Sequence, residues 1–170
     1  MKDLESCPIC GYDKIKQYPL QDPWAHFYEC GRCGRYQASD MLMHFSDVGE
    51  KLREVGYILS GLTRELHETG GKPPSFTTEN YEAFTKRFPV PDLNNIGEKI
   101  KKLLQRVRAK TQYFGEEVKL GDIETVVPLA YAKNPEELIA LFTLMTEKKL
   151  AKIGILNNEK DDGERTVRMT

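Results

Sequence analysis

The chain has 170 residues and a net charge of −1, with 39% hydrophobic and 30% charged residues. That length supports one ordinary core, or a small metal module beside a modest second domain. No apolar run approaches the roughly 20 residues that span a bilayer, and the near-neutral charge argues against a strongly cationic nucleic-acid binder.

Residues 1–38 are rich in turns, with short alternating stretches at Lys14–Tyr18 and His26–Glu29 that predict small strands. From Ser46 the pattern turns helical. Val48, Leu52, Val55, Leu59, Leu62 and Leu66 step alternately by four and three, an apolar seam along about six helical turns. Ser46 and Asp47 suit its start, and Gly70-Gly71 before Pro73-Pro74 suits its end. Such a seam packs on its own domain more often than in an intermolecular coiled coil.

Thr77 and Thr78 can cap a short helix over Glu79–Arg87, which Pro89 and Pro91 break. A second long helix is predicted from about Asp92 to Phe114, with Leu93, Ile96, Ile100, Leu103, Leu104 and Val107 as its apolar face. Residues 116–133 read as extended or looped, with strand candidates at Val126-Val127 and Leu129–Tyr131. Asn134-Pro135-Glu136-Glu137 is a helix start, with Asn as cap, Pro in the first position and Glu three after the cap. That helix should run to about Lys149. A strand at Ile153–Leu156, a polar turn at 157–163 and a return strand at Arg165–Met169 follow. The expected fold is α+β and mainly helical: a zinc ribbon over 1–45, a helical linker region over 46–91 and a winged-helix-like domain over 92–170.

Cys7-Pro8-Ile9-Cys10-Gly11 and Cys30-Gly31-Arg32-Cys33-Gly34 form two knuckles. Two residues between cysteines let one tight turn aim both sulfurs at one ion, and four thiolates suit a tetrahedral structural zinc. The glycine after each pair tolerates positive φ where the chain leaves the knuckle. Cys7, Cys10, Cys30 and Cys33 are therefore the predicted ligands of one structural zinc. The four thiolates leave a local charge of −2, which Arg32 and Arg35 are close enough in sequence to offset in part. The first knuckle also resembles that of rubredoxin, so tetrahedral iron is the rival metal. Disulfides fit poorly. The start, Met1–Ser6, has no apolar signal core, and the location expected is the cytoplasm, where thiols stay reduced. Four protein ligands leave no open position for catalysis.

His26 is expected beside the metal site rather than as a ligand, and His67 is expected to face solvent. His44 has no cysteine or paired acid at ligand spacing. No metalloprotease, phosphate-loop, dinucleotide or nucleophile-elbow motif occurs, and the chain is not expected to be an enzyme. Residues 91–120 are the one strongly basic stretch, with seven Lys and Arg against four Asp and Glu. Lys99, Lys101, Lys102, Arg106, Arg108 and Lys110 are candidate nucleic-acid contacts, although a charged face opposite an apolar stripe is more often only solvated. The helix over 135–149 is apolar on most sides and acidic in its first turn, unlike a base-reading helix. Its apolar circumference and the narrow seam over 48–66 exceed what a small core buries, so a homo-oligomer is expected.

The stretch Gly56–Leu66, then Leu129-Ala130-Tyr131-Ala132, then the 135–149 helix and the ending Thr166–Thr170, resemble the N-terminal region of a bacterial multidomain family. There a zinc ribbon and a winged-helix-like segment precede a C-terminal nucleoside deoxyribosyltransferase-like (TIR-like) domain. The resemblance implies that this chain is a truncated front part and that an enzymatic half lies beyond Thr170. It implies a zinc-binding regulatory module that senses a ligand, nucleic acid or protein partner; no catalytic residue carries over. Lys148-Lys149-Leu150 departs from the glycine that the family often has after the helix. The alternative is a stand-alone nucleic-acid-binding protein of transcription-factor type.

Overall fold

The computed structural model describes residues 6–44, 46–87, 95–113, 116–155 and 165–169. It is a mixed α and β structure that divides into two compact units, Met1–Val90 and Pro91–Thr170.

In the first unit, β1 (Ile15–Pro19), β2 (Ala25–Cys30) and β3 (Gly34–Ser39) form an antiparallel meander. Helices α1 (Asp40–His44) and α2 (Ser46–Glu68) follow, then a two-residue strand, β4 (Ser75–Phe76), parallel to β3, and α3 (Tyr81–Arg87). The register sets Cys30 opposite both Ile15 and Gly34, so the second knuckle caps the β2–β3 turn. The two strands predicted before Cys30 are present. β3, β4 and α1 were not foreseen, because the short alternation at 34–39 reads as an exit from the knuckle.

The core of this unit is aromatic. Tyr28 and Tyr36 stack at 5.0 Å, and Phe76 meets Tyr36 at 6.1 Å and Phe84 edge-on at 5.0 Å. Leu52 and Leu59 of the α2 seam are buried in the same cluster as the cysteines, so the helix is part of the core that holds the knuckles. Leu52, Val55 and Leu59 of the seam therefore pack within their own unit. Gly70 takes φ +71° and Gly71 N donates to Leu66 O, which ends α2 where the glycine pair predicts.

The second unit runs α4 (Ile96–Lys110), β5 (Glu117–Gly121), α5 (Ile123–Val126) continuing as a 3₁₀ turn over Val127–Ala130, α6 (Pro135–Glu147), β6 (Ala151–Ile155) and β7 (Arg165–Met169). Its sheet is antiparallel with β7 between β5 and β6. Asn95 caps α4 by accepting from Gly97 N, and the predicted start near Asp92 lies outside the described residues. The strands expected at Val126-Val127 and Leu129–Tyr131 are helical as far as Ala130 instead, and Tyr131 follows as a turn residue at φ +52°. The Asp122 side chain accepts from Glu124 N and caps the turn, and Pro128 brings no N–H to a ladder. A short, fully buried apolar run has no period that separates strand from helix.

α6 starts as predicted, with Asn134 Oδ1 accepting from Glu137 N at 2.9 Å. At its end Lys149 takes φ +56°, the left-handed conformation that a glycine adopts without cost. Leu138, Leu141, Phe142 and Met145 pack with Leu103, Val107 and Val118 in one core. The polar turn at 157–163 lies outside the described residues. Leu59 is 0% and Phe142 5% exposed, whereas Ile139 on the other side of α6 is 44% exposed.

Candidate metal centre

The first knuckle is a closed turn: Gly11 N donates to Cys7 O and Cys7 N to Tyr12 O, both at 2.7 Å. Gly11 at φ +72° lets the chain leave it, and Gly34 at φ +85° does the same for the second. Gly31 N donates to Lys14 O at 3.0 Å, tying the second knuckle to the start of β1. The two turns thus face each other across the β1–β2 edge.

The four sulfurs lie within 4.8 Å of one another. Cys7 Sγ is 3.8 Å from Cys33 Sγ, and Cys10 Sγ is 3.7 Å from Cys30 Sγ. A tetrahedron with Zn–S bonds of about 2.3 Å has edges of about 3.8 Å, whereas a disulfide would need about 2.05 Å. All four thiols are free. Cys7, Cys30 and Cys33 are buried and Cys10 is half-buried. The cage fits one tetrahedral ion of the zinc type, with every position filled by protein.

The four thiols perturb one another's ionisation. Burial pushes the Cys33 thiol well up, and the adjacent Cys30 pushes Cys10 up, while hydrogen bonding from Cys10 and Cys33 lowers Cys30. Four sulfurs this close cannot all ionise unless a positive charge lies among them. Two further groups reach the sulfurs. Tyr36 OH is 3.1 Å from Cys7 Sγ, and burial first, then the charge at Cys7, raises its phenol well above the usual range. It therefore keeps its proton and can donate to a Cys7 thiolate. Ser60 Oγ accepts from the Cys33 thiol at 3.2 Å. Cys33 N donates to Cys30 Sγ at 3.4 Å.

α2 forms a wall of the site. Ser60 comes from it, and so does Gly56, whose missing side chain lets Ile9 O of the first knuckle approach: a Cβ there would sit 2.3 Å from that oxygen. Arg64, two turns on, donates to Gly31 O at 3.1 Å. The sequence reading missed Tyr36, Gly56, Ser60 and Arg64. Its available signal was Gly56 and Ser60, small residues four apart on a helix otherwise carrying leucines.

The arginines divide. Arg32 donates to Cys10 O at 3.3 Å and lies over the Tyr12 ring, close to the cage. Arg35 turns to His67, whose Nδ1 accepts at 3.2 Å. His67 does not simply face solvent; its ring lies against Gly34. His26 Nδ1 is 2.7 Å from Asp40 Oδ1 and is not among the clustered ligands. The side chain of His44 lies outside the described residues.

The basic candidates on α4 separate in the same way. Lys99 is 1% exposed and ion-paired with Glu137, so it is removed from any phosphate-tracking surface. Lys102 lies over the Tyr131 ring at 5.9 Å, and Arg106 is half-buried. Lys101, Arg108 and Lys110 are exposed. No described helix is long and apolar enough to cross a membrane. No protein-family model, curated protein or solved structure matches this chain.

Proposed function

We propose that the chain is a non-enzymatic recognition and regulatory module built on one structural zinc, and that it is the sensing front end of a larger bacterial effector. The observation that carries the zinc reading is the closed four-sulfur cage, three of its ligands buried, with sulfur separations of 3.7 and 3.8 Å that match a zinc tetrahedron. A site with four protein ligands has no position for substrate or water, which favours a structural role. Four-cysteine cages are a recurrent structural zinc type, and since the same tetrahedron would hold iron, the metal analysis decides between them.

In this reading the first unit is a zinc ribbon backed by α2, and the second is winged-helix-like. Support for the latter is its order: helix, strand, helical turn, helix, then two strands, with the last strand central in the sheet. The regulatory role rests on the family resemblance of the sequence.

Elemental analysis of the purified chain tests the metal. One zinc per chain, lost in Cys30→Ser, is the expected result; iron, or no metal, overturns it. The regulatory role is tested in a longer protein that carries the second half. Removing the segment 1–170 should change the ligand dependence of its activity, and unchanged activity would sink the idea.

A stand-alone nucleic-acid binder is favoured by Lys101, Arg108 and Lys110 exposed on α4. The burial of Lys99 and the acidic first turn of α6 weigh against it. Binding to duplex DNA at low salt with a steep salt slope would establish that reading instead.

A further inference from the structure

The second unit has a groove of about 900 Å³ along α4 that the metal centre does not use. Its lining residues on α4 run from Gly97 to Arg108, about 16 Å at 1.5 Å per residue. Ile100 and Leu104, one turn apart, form its floor and are only partly buried against the core. Leu150, beyond α6, and Tyr113 also line it, and they are 39% and 67% exposed. Lys101 and Arg108, both exposed, stand on the rim two turns apart, and no carboxylate lines the groove among the described residues. Lys101 does touch Glu98 at 3.4 Å on its own helix. A pair that exposed is weak and exchanges readily.

We propose that this groove binds an acidic amphipathic helix of a partner protein, leucine-type side chains on the floor and carboxylates on Lys101 and Arg108. Three turns of helix fit the length, and an aliphatic strip with an ionic rim is what helix-in-groove recognition requires. Nucleic acid suits the site less well. Bases stack on aromatic faces, and the floor is aliphatic with one tyrosine at its edge. Two rim cations also make a small phosphate footprint. The proposal rests on reading the chain as a recognition module and gives that module a ligand class; it is independent of which metal fills the cysteine cage.

The test is fluorescence anisotropy of the full chain with a labelled synthetic helix. The helix carries leucines at positions i, i+3 and i+7 and flanking glutamates. Saturable micromolar binding is expected. Lys101→Glu with Arg108→Glu should weaken it at least tenfold, and the same peptide with lysine for glutamate should bind that double variant. Leu150→Glu should abolish binding while zinc content and circular dichroism stay unchanged. All three sites are exposed, so the variants should fold. Equal binding of a peptide of the same composition with its leucines scrambled off one face overturns the proposal. So does no saturable binding, or displacement of the peptide by a single-stranded oligonucleotide that binds more tightly. Metal content is read in every sample, so loss of the zinc reading would be seen separately from failure of the groove.

Discussion

The carbonyl oxygen of Ile9 occupies the space where a side chain at Gly56 would begin, 2.3 Å from an ideal Cβ. The first cysteine knuckle therefore touches the backbone of α2. Gly56→Ala would add helix propensity, about 1 kcal/mol in an exposed helix. Here the obstacle is the Ile9 backbone carbonyl, which cannot swing aside as a side chain can, and overpacking of a tight contact costs about 1–3 kcal/mol. We expect a net loss of thermal stability in the first unit and faster zinc release to a chelator. A raised melting temperature would show that the helix does not need this approach.

Chelation should then unfold more than the cysteine loops. Leu52 and Leu59 share a buried cluster with Cys7, Cys30, Cys33 and Tyr36, so losing the ion should loosen α2 as well as the meander. Hydrogen exchange after treatment with a strong chelator should show lost protection over 7–39 and over 52–66, with α4 and α6 still protected. Protection of α2 that survives metal removal would mean that the helix folds without the cage.

Tyr36 and Ser60 should tune how tightly the ion is held. Each places a hydroxyl near a sulfur, at 3.1 and 3.2 Å, and partners of this kind typically change metal affinity by about 10–100-fold. Tyr36→Phe and Ser60→Ala should each speed zinc transfer to a chromophoric chelator, with the fold kept by circular dichroism. Tyr36→Phe is the cleaner test because the ring that stacks on Tyr28 remains. Release no faster than in the parent chain would remove both hydroxyls from the site.

The cage was legible in the sequence because its information is local: two Cys-x-x-Cys turns with glycine after each need no knowledge of the fold. The start of α6 was legible for the same reason, since Asn134, Pro135 and Glu137 act within one turn. What α2 does was not. Its leucine spacing shows that one face is buried but not against what, and the contact of Gly56 with Ile9 joins segments 47 residues apart. Lys99 misled for a related reason. Its spacing of four and eight from Leu103 and Val107 puts it beside the buried stripe of α4, but a lysine there needs a counter-charge, and Glu137, which supplies it, lies 38 residues later. The buried run 126–131 has no helical or strand period, so its helical turns depend on Asp122 and Pro128 and on the core around them.

Glu137 gives the second unit a pH dependence. Its Oε2 accepts from Lys133 N at 2.7 Å and its Oε1 from the buried Lys99 ammonium. Partial burial alone would raise its carboxyl, but the hydrogen bonds and charge of Lys99 and Lys133 outweigh it and the net shift is downward. A carboxyl lowered in the folded state contributes stability that is fully present above its unfolded value. That stability is lost as pH falls through the folded value. The second unit should therefore weaken on acidification below about pH 4.3, the unperturbed glutamate value. Glu137→Gln should flatten that part of the profile. It should also lower stability at pH 7, because the negative charge beside a buried ammonium is gone. Breaking a fully buried pair costs about 3–5 kcal/mol, and the cost here should be smaller because the Glu137 side chain is 30% exposed. Denaturant unfolding of the parent chain and the variant between pH 3 and 7 measures both effects. Identical profiles would mean that Lys99 is neutralised by something other than Glu137.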